Sequence, residues 1–175
     1  MKKSIIILLA IAGLFWLYKT QIAVTPRGVI EDLDEAGMVV FSPDHVKSTI
    51  TVFTDTSCGY CVKLHREIGQ TMAGGVKVRY LGYPRAGVNS RSFKTLVSIW
   101  CAHNAQQAMT KAKMGIAIET RNCSTQIDRH MEAAKRIGIT GTPTIVLQDG
   151  TVIPGYMPAG KLVEFSNQAA QSVVN

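Results

Sequence analysis

Two cysteines three positions apart, Cys58 and Cys61, enclose Gly59 and Tyr60, a spacing that keeps two thiols within reach of one another. Disulfide exchange needs that: one thiolate attacks a foreign sulfur, and a second thiol displaces it afterwards. The motif directly follows Thr49 to Thr54, a β-branched and aromatic run that reads as a strand. It opens a stretch from Gly59 to Met72 in which Cys61, Leu64, Ile68 and Met72 recur at helical spacing. Cys58 therefore falls at a helix N-terminus, where unpaired N–H groups and the helix dipole favour a thiolate. Cys58 is read as the nucleophile. Cys61, one turn further in and on the apolar stripe, is read as the more buried resolving thiol.

The same spacing serves zinc, but a structural zinc site normally takes a second comparable pair. Cys101 and Cys123 lie far apart, and His45, His65, His103 and His130 contain no closely spaced pair, so neither a metal nor another cofactor is expected. Cys101 and Cys123 could form a second redox pair or a structural crosslink. The crosslink is favoured: neither has a near neighbour to resolve a mixed disulfide, and closing a loop of this length stabilises a fold by ~3 kcal/mol. His65 is expected on the exposed side of its helix, and Trp100 packed into the segment around it.

The elements that must position the first pair follow in order. Residues 25–37 read as a linker, and Met38 to Phe41 as a lead-in strand. The strand before Cys58 and the helix after it end at Gly74-Gly75. Val76, Val78 and Tyr80 then alternate with Lys77 and Arg79, as in a second strand. Residues 85–123 hold no convincing strand; Phe93, Leu96, Val97 and Trp100 mark a helical insertion. A further helix begins near Thr125 to Asp128 in a capping-box-like start, with Ile127, Met131, Ala134 and Ile137 inward and Gly138 as its stop. Thr144 to Gln148 and Thr151 to Ile153 form a hairpin around the two-residue turn Asp149-Gly150. Leu162, Phe165, Ala169 and Val173 give the last helix its buried stripe. This order makes the chain an α/β protein with the element order of the thioredoxin core, a thioredoxin-like fold with a helical insertion. In such a fold Gly141-Thr142-Pro143, just before a strand, is a cis-proline loop beside the active cysteines that pairs with an extended substrate peptide.

With 175 residues, 46% apolar and 18% charged, the chain can bury one ordinary core, so residues 38–175 are read as one catalytic domain. Lys2 and Lys3 precede an uncharged run from Ser4 to Tyr18, the layout of an export signal. Residues 1–24 are either a signal peptide, with an imperfect cleavage site at Ala23 behind Gln21, or an uncleaved anchor long enough to cross ~30 Å of hydrocarbon. Both place the domain outside the cytoplasm. The formal charge of +7 comes from 19 basic residues scattered without a long run, which reads as a solvated surface and not as a nucleic-acid site.

Phe53 to Cys61, Lys63-Leu64-His65, Val78 to Leu81, Ile99-Trp100-Cys101-Ala102, Gly141-Thr142-Pro143 and Pro154-Gly155-Tyr156 together closely resemble the catalytic domain of the DsbC/DsbG family of bacterial periplasmic protein disulfide isomerases, over about Met38 to Asn167. The resemblance implies a periplasmic enzyme that reduces or isomerises incorrect disulfides in exported proteins, kept reduced by a membrane electron donor. It implies that Cys58 attacks and Cys61 resolves, that Gly59, Tyr60, Thr142 and Pro143 meet the substrate, and that Cys101 and Cys123 form a structural disulfide. A dithiol oxidase running the same exchange in the other direction is the alternative, and a redox-inactive peptide binder a more distant one. Two departures from the family pattern matter. The stretch between Tyr18 and Met38 is too short for the family's dimerisation domain and linker helix, so a monomeric catalytic domain is expected. Where thioredoxin itself carries a buried acid six residues before the attacking cysteine, this chain has Val52, so proton transfer during resolution must take another route.

Overall fold

The computed structural model describes residues 25–174. The export segment expected at residues 1–24 lies outside them, and among the described residues no helix is long and apolar enough to cross a membrane.

A five-stranded sheet is ordered β1-β3-β2-β4-β5, with β1 Val39–Phe41, β2 Ser48–Thr54, β3 Val76–Gly82, β4 Thr144–Val146 and β5 Val152–Pro154. β2 and β3 run parallel and all other neighbours antiparallel. β2 sits in the middle and is buried along nearly its whole length, the pattern of a strand covered on both faces. Its alternating side chains divide the core. Ile50 and Val52 join Val78, Tyr80, Leu64, Met109 and Leu162 on one face. Phe53 joins Leu81, Val29, Ile30, Ala133 and Ala134 on the other.

The helices are α1 Pro26–Glu31, α2 Gly59–Arg66, α3 Ile68–Ala73, α4 Arg91–Trp100, α5 Ala105–Lys113, α6 Ile127–Ile137 and α7 Ala159–Val174. Local chemistry explains their limits. Ser90 and Asn104 cap α4 and α5 by accepting from the Phe93 and Gln107 amides at 3.1 and 2.8 Å. Gly138 ends α6 at φ +83°, a backbone state that only glycine adopts freely. Residues 85–123 contain α4 and α5 and no strand, and Leu96, Val97 and Ile127 tie that insertion to α6. The Trp100 indole reaches past it, donating to the Gly37 carbonyl at 2.7 Å.

Five expectations need correction. Residues 25–37 are not a bare linker: Thr25 caps α1, whose Val29 and Ile30 are buried against α6 and the sheet. The single helix expected over residues 59–72 breaks at Glu67, whose carboxylate accepts from the Tyr156 hydroxyl and from the Ala159 amide at 2.8 Å. That places a negative charge at the start of α7, where the helix dipole favours it. α6 starts at Gln126 without a side-chain cap, and its inner face carries His130 and Ala133 beside Ile127 and Ala134, while Met131 and Ile137 are half-buried. The hairpin turn has three residues, since Val146 pairs with Val152 and the Leu147 amide donates to Thr151. Gly150 takes the left-handed position at φ +92°. On α7 the buried stripe is Leu162, Ser166, Ala169 and Ala170; Phe165 is exposed.

Candidate active site

β2 delivers the chain to Asp55, and the turn from Thr56 to Cys58 leads into α2. The turn is held from below by Asp55, which is fully buried. One of its carboxylate oxygens accepts from the Ser57 amide and hydroxyl, both at 2.9 Å, and from the Ser92 hydroxyl of α4. The other accepts from the Arg85 amide at 3.0 Å and its guanidinium at 3.2 Å. Burial alone would raise this carboxyl, but the hydrogen bonds from Ser92, Ser57 and Arg85 outweigh it and keep Asp55 below its ordinary value.

Cys58 is the N-cap of α2, its sulfur 3.4 Å from the Cys61 amide. Both thiols are free, with 4% and 1% of their surface exposed. Thr142-Pro143 is a cis peptide bond, and the Cys58 thiol donates to the Thr142 carbonyl at 3.1 Å. The buried Thr142 hydroxyl makes no hydrogen bond in this dithiol form, yet it lies where it can donate to a thiolate on either sulfur. The two thiols are pushed apart. Burial raises Cys58, but Thr142, Cys61 and the positive charge of Arg85 overcome it, and Cys58 titrates below an ordinary thiol. Burial dominates at Cys61 and holds it above.

The outer rim carries Tyr60, which is 64% exposed and stacks on Tyr156 with ring centroids 6.3 Å apart. Lys63 sits 4.5 Å over the Tyr156 ring. Gly59 has open space where a side chain would project. A groove of about 400 Å³ runs along Gly141, Thr142 and Pro143 to Pro154 and Gly155. The four residues expected to meet substrate thus border the two sulfurs. Cys101 and Cys123 form a disulfide on the insertion, separate from this site. Among the described residues, no cluster of histidines, cysteines and carboxylates could hold a metal.

Sequence reasoning placed His65 on the exposed side of its helix; the structure corrects this, because α2 turns that position into the core. His65 is 3% exposed, with Nδ1 3.0 Å from the Tyr80 hydroxyl and Nε2 3.0 Å from Thr110 Oγ1. The Thr110 hydroxyl donates to the Gln106 carbonyl, so it accepts from Nε2–H and the Tyr80 hydroxyl donates to Nδ1. Burial, helped by the charge of Lys113, lowers His65 to about 4 and keeps it neutral. Lys113 is the second surprise. Counted with the solvated basic residues, it is 3% exposed at the end of α5, and its ammonium group donates to Thr54 Oγ1 at 2.6 Å and the Asp55 carbonyl at 3.1 Å. Nothing near Lys113 in the sequence signals this, because the contact joins α5 to the end of β2.

Residues 35–170 match the thioredoxin-like domain family. The thiol:disulfide interchange protein DsbC of Dickeya dadantii is 42% identical over 147 residues, 83% of this chain and 62% of that protein. The DsbC of Escherichia coli K12 is 37% identical over the same shares. These relatives fall in the family that the residue pattern resembles, and the chain spans about three fifths of their length. Among solved structures, a disulfide interchange protein from Neisseria gonorrhoeae superposes with a TM-score of 0.68 at 21% identity, covering 77% of this chain and 99% of that one. The catalytic domain of Proteus mirabilis ScsC gives 0.66 at 17%, covering 86% and 98%. At these identities the structural likeness is one of fold.

Proposed function

Because the chain belongs to the thioredoxin-like domain family, we propose that it is a thiol–disulfide oxidoreductase that reduces or isomerises incorrect disulfides of exported proteins through Cys58 and Cys61. The observation that carries this reading is the opposite displacement of two adjacent free thiols, Cys58 down and Cys61 up, beside the Thr142-Pro143 loop. A lowered thiol is more readily thiolate and attacks; a raised, buried one stays protonated until a mixed disulfide forms next to it.

The Cys58 thiolate attacks one sulfur of a substrate disulfide, and the other sulfur leaves with the electron pair. The substrate is then bound to Cys58. Either a substrate thiol attacks this bond and a rearranged chain is released with Cys58 free, or Cys61 attacks Cys58, the substrate leaves reduced and the Cys58–Cys61 disulfide remains. The groove at Thr142-Pro143 and the exposed Tyr60 suit an extended peptide held across the sulfurs. A cycle of reduction consumes two electrons, which a membrane donor facing the periplasm supplies in this reading.

The test is a trapping experiment on the full chain. Cys61→Ala accumulates mixed disulfides with exported proteins, and Cys58→Ala does not. Adducts on Cys58→Ala alone reverse the roles, and adducts on neither end the proposal. Acid-quenched thiol trapping in the native compartment then reports direction: mostly reduced Cys58 and Cys61 support a reductase or isomerase, whereas a mostly oxidised pair marks an oxidase.

A further inference from the structure

Resolution demands a thiolate at Cys61, the thiol that its surroundings hold most firmly protonated. Val52, on the strand beneath, is buried and apolar and offers no proton acceptor. The neighbours of Cys61 that can hold or pass a proton are therefore few. Thr54 and the Asp55 amide lie near enough to its sulfur to favour the thiolate. The same Thr54 hydroxyl is 2.6 Å from Lys113 Nζ. An oxygen that is both donor and acceptor thus sits between a buried thiol and a buried amine. Lys113 has no carboxylate within ion-pair distance among the described residues, and its two hydrogen-bond acceptors are uncharged. A buried lysine without an ion pair is costly unless its charge is needed at some stage or its proton is given up.

We propose that Lys113, acting through the Thr54 hydroxyl, takes the proton of the Cys61 thiol during resolution and returns it afterwards. It acts on Cys61 through Thr54, so it is a positioning residue and not a catalytic one. This inference rests on the exchange reading above. The transfer starts from Cys61 as the thiol and Lys113 as the uncharged amine, the forms that burial favours for both groups. When a substrate is bound to Cys58, the proton moves from Sγ to the Thr54 oxygen while the Thr54 proton moves to Nζ. The Cys61 thiolate then attacks Cys58 Sγ. The Cys58–Cys61 bond forms, the Cys58–substrate bond breaks, and the substrate sulfur leaves with the electron pair and is protonated by the Lys113 ammonium or by water. Two electrons pass from the dithiol to the substrate.

The surroundings favour this transfer in both directions. Burial lowers Lys113 and raises Cys61, while the charge of each opposes that shift in the other, so their proton affinities approach one another. Other titratable groups face the pair: Cys58 and His65 on α2, Asp55 and Arg85 at the turn, and Tyr80 on β3. Of these, His65 is neutral, Tyr80 is pushed up by burial and by Cys61, and Asp55 is engaged by Arg85, Ser57 and Ser92. Lys113 is the group held on the Thr54 oxygen that faces Cys61.

The experiment mixes the reduced full chain with oxidised glutathione and follows two phases. The first is bimolecular, the attack of Cys58; the second is unimolecular, resolution by Cys61. Lys113→Met keeps the length of the side chain and removes the amine. It is expected to slow the unimolecular phase about tenfold at pH 7 and move its pH midpoint up by about one unit, with a smaller change in the bimolecular phase. Thr54→Val gives the same signature from the other side of the relay, and Thr54→Ser restores it. A folded Lys113→Met protein with the wild-type unimolecular rate and midpoint overturns the inference. Should that variant not fold, a normal resolving phase in Thr54→Val overturns it equally. Absence of the bimolecular phase in the unmodified protein is a different failure, that of the exchange reading itself.

Discussion

The chain carries two cysteine pairs of opposite character, and the contrast lies in what surrounds the sulfurs. Cys101 and Cys123, 22 positions apart, are bonded to one another. Cys101 packs on the apolar cluster formed by Leu96, Val97 and Ile127. Cys58 and Cys61 are free and lie among a helix N-terminus, the Thr142 hydroxyl, the Thr54 hydroxyl, Arg85 and Lys113. The reactive pair is buried, whereas Cys101 is half-buried and Cys123 is exposed. Exposure as such therefore does not make a pair reactive; polar groups able to meet a thiolate do.

The sharpest way to break this comparison is to exchange the roles. Cys58→Ala abolishes adduct formation with disulfide substrates, read by non-reducing electrophoresis, although the second pair is intact. Residual adducts through Cys101 or Cys123 would place that pair in the chemistry. The next largest effect falls on the staple. Cys101→Ala/Cys123→Ala lowers unfolding stability by ~3 kcal/mol in urea titration, in keeping with the loop it closes, while the folded fraction keeps its bimolecular rate with oxidised glutathione.

Each region also contains one buried histidine, and these should respond alike to acid. His65 lies under the reactive pair. His130 lies under the insertion beside Trp100 and accepts from the Gly82 amide at 3.2 Å. Burial lowers both to about 4. Between that value and an unfolded value of about 6.5, the unfolded chain binds more protons than the native one, so stability rises with pH in this window. Their contribution is complete above the unfolded value and is lost as pH falls toward 4, amounting to ~2 kcal/mol for each group by pH 5. Unfolding of His65→Gln and His130→Gln at pH 7 and pH 5 checks it: each variant should show a smaller acid loss than the parent. An unchanged acid loss in His130→Gln alone would make the two regions unlike in this respect. The smallest effect belongs to Thr142→Val. It removes one donor available to the Cys58 thiolate and raises the thiol's titration midpoint, followed by absorbance at 240 nm, by less than ~1 unit.

The sequence carried the reactive pair, its helix, the insertion and the order of strands, because each is written in local spacing. Cys58 at a helix start follows from the strand run before it and the three-and-four periodicity after it. Gly138 as a helix stop follows from its position after an apolar stripe. Misreadings arose where a distant partner overrides local pattern. Glu67 looks like an ordinary helical residue until Tyr156 and Ala159 claim its carboxylate. Phe165 looks like core until Ser166, one position on, meets Ser48 at 2.7 Å.

What the sequence by itself determined is the identity and spacing of the thiols and the secondary structure that presents them, since both depend on residues within one or two turns. Tertiary structure decided the electrostatics. Lys113 is indistinguishable in sequence from Lys111, two positions earlier on the same helix, yet one is exposed and the other is buried between the end of β2 and the two thiols. Helix geometry turns residues two apart to different sides, and only the packing of α5 on the sheet settles which side meets water and which meets sulfur.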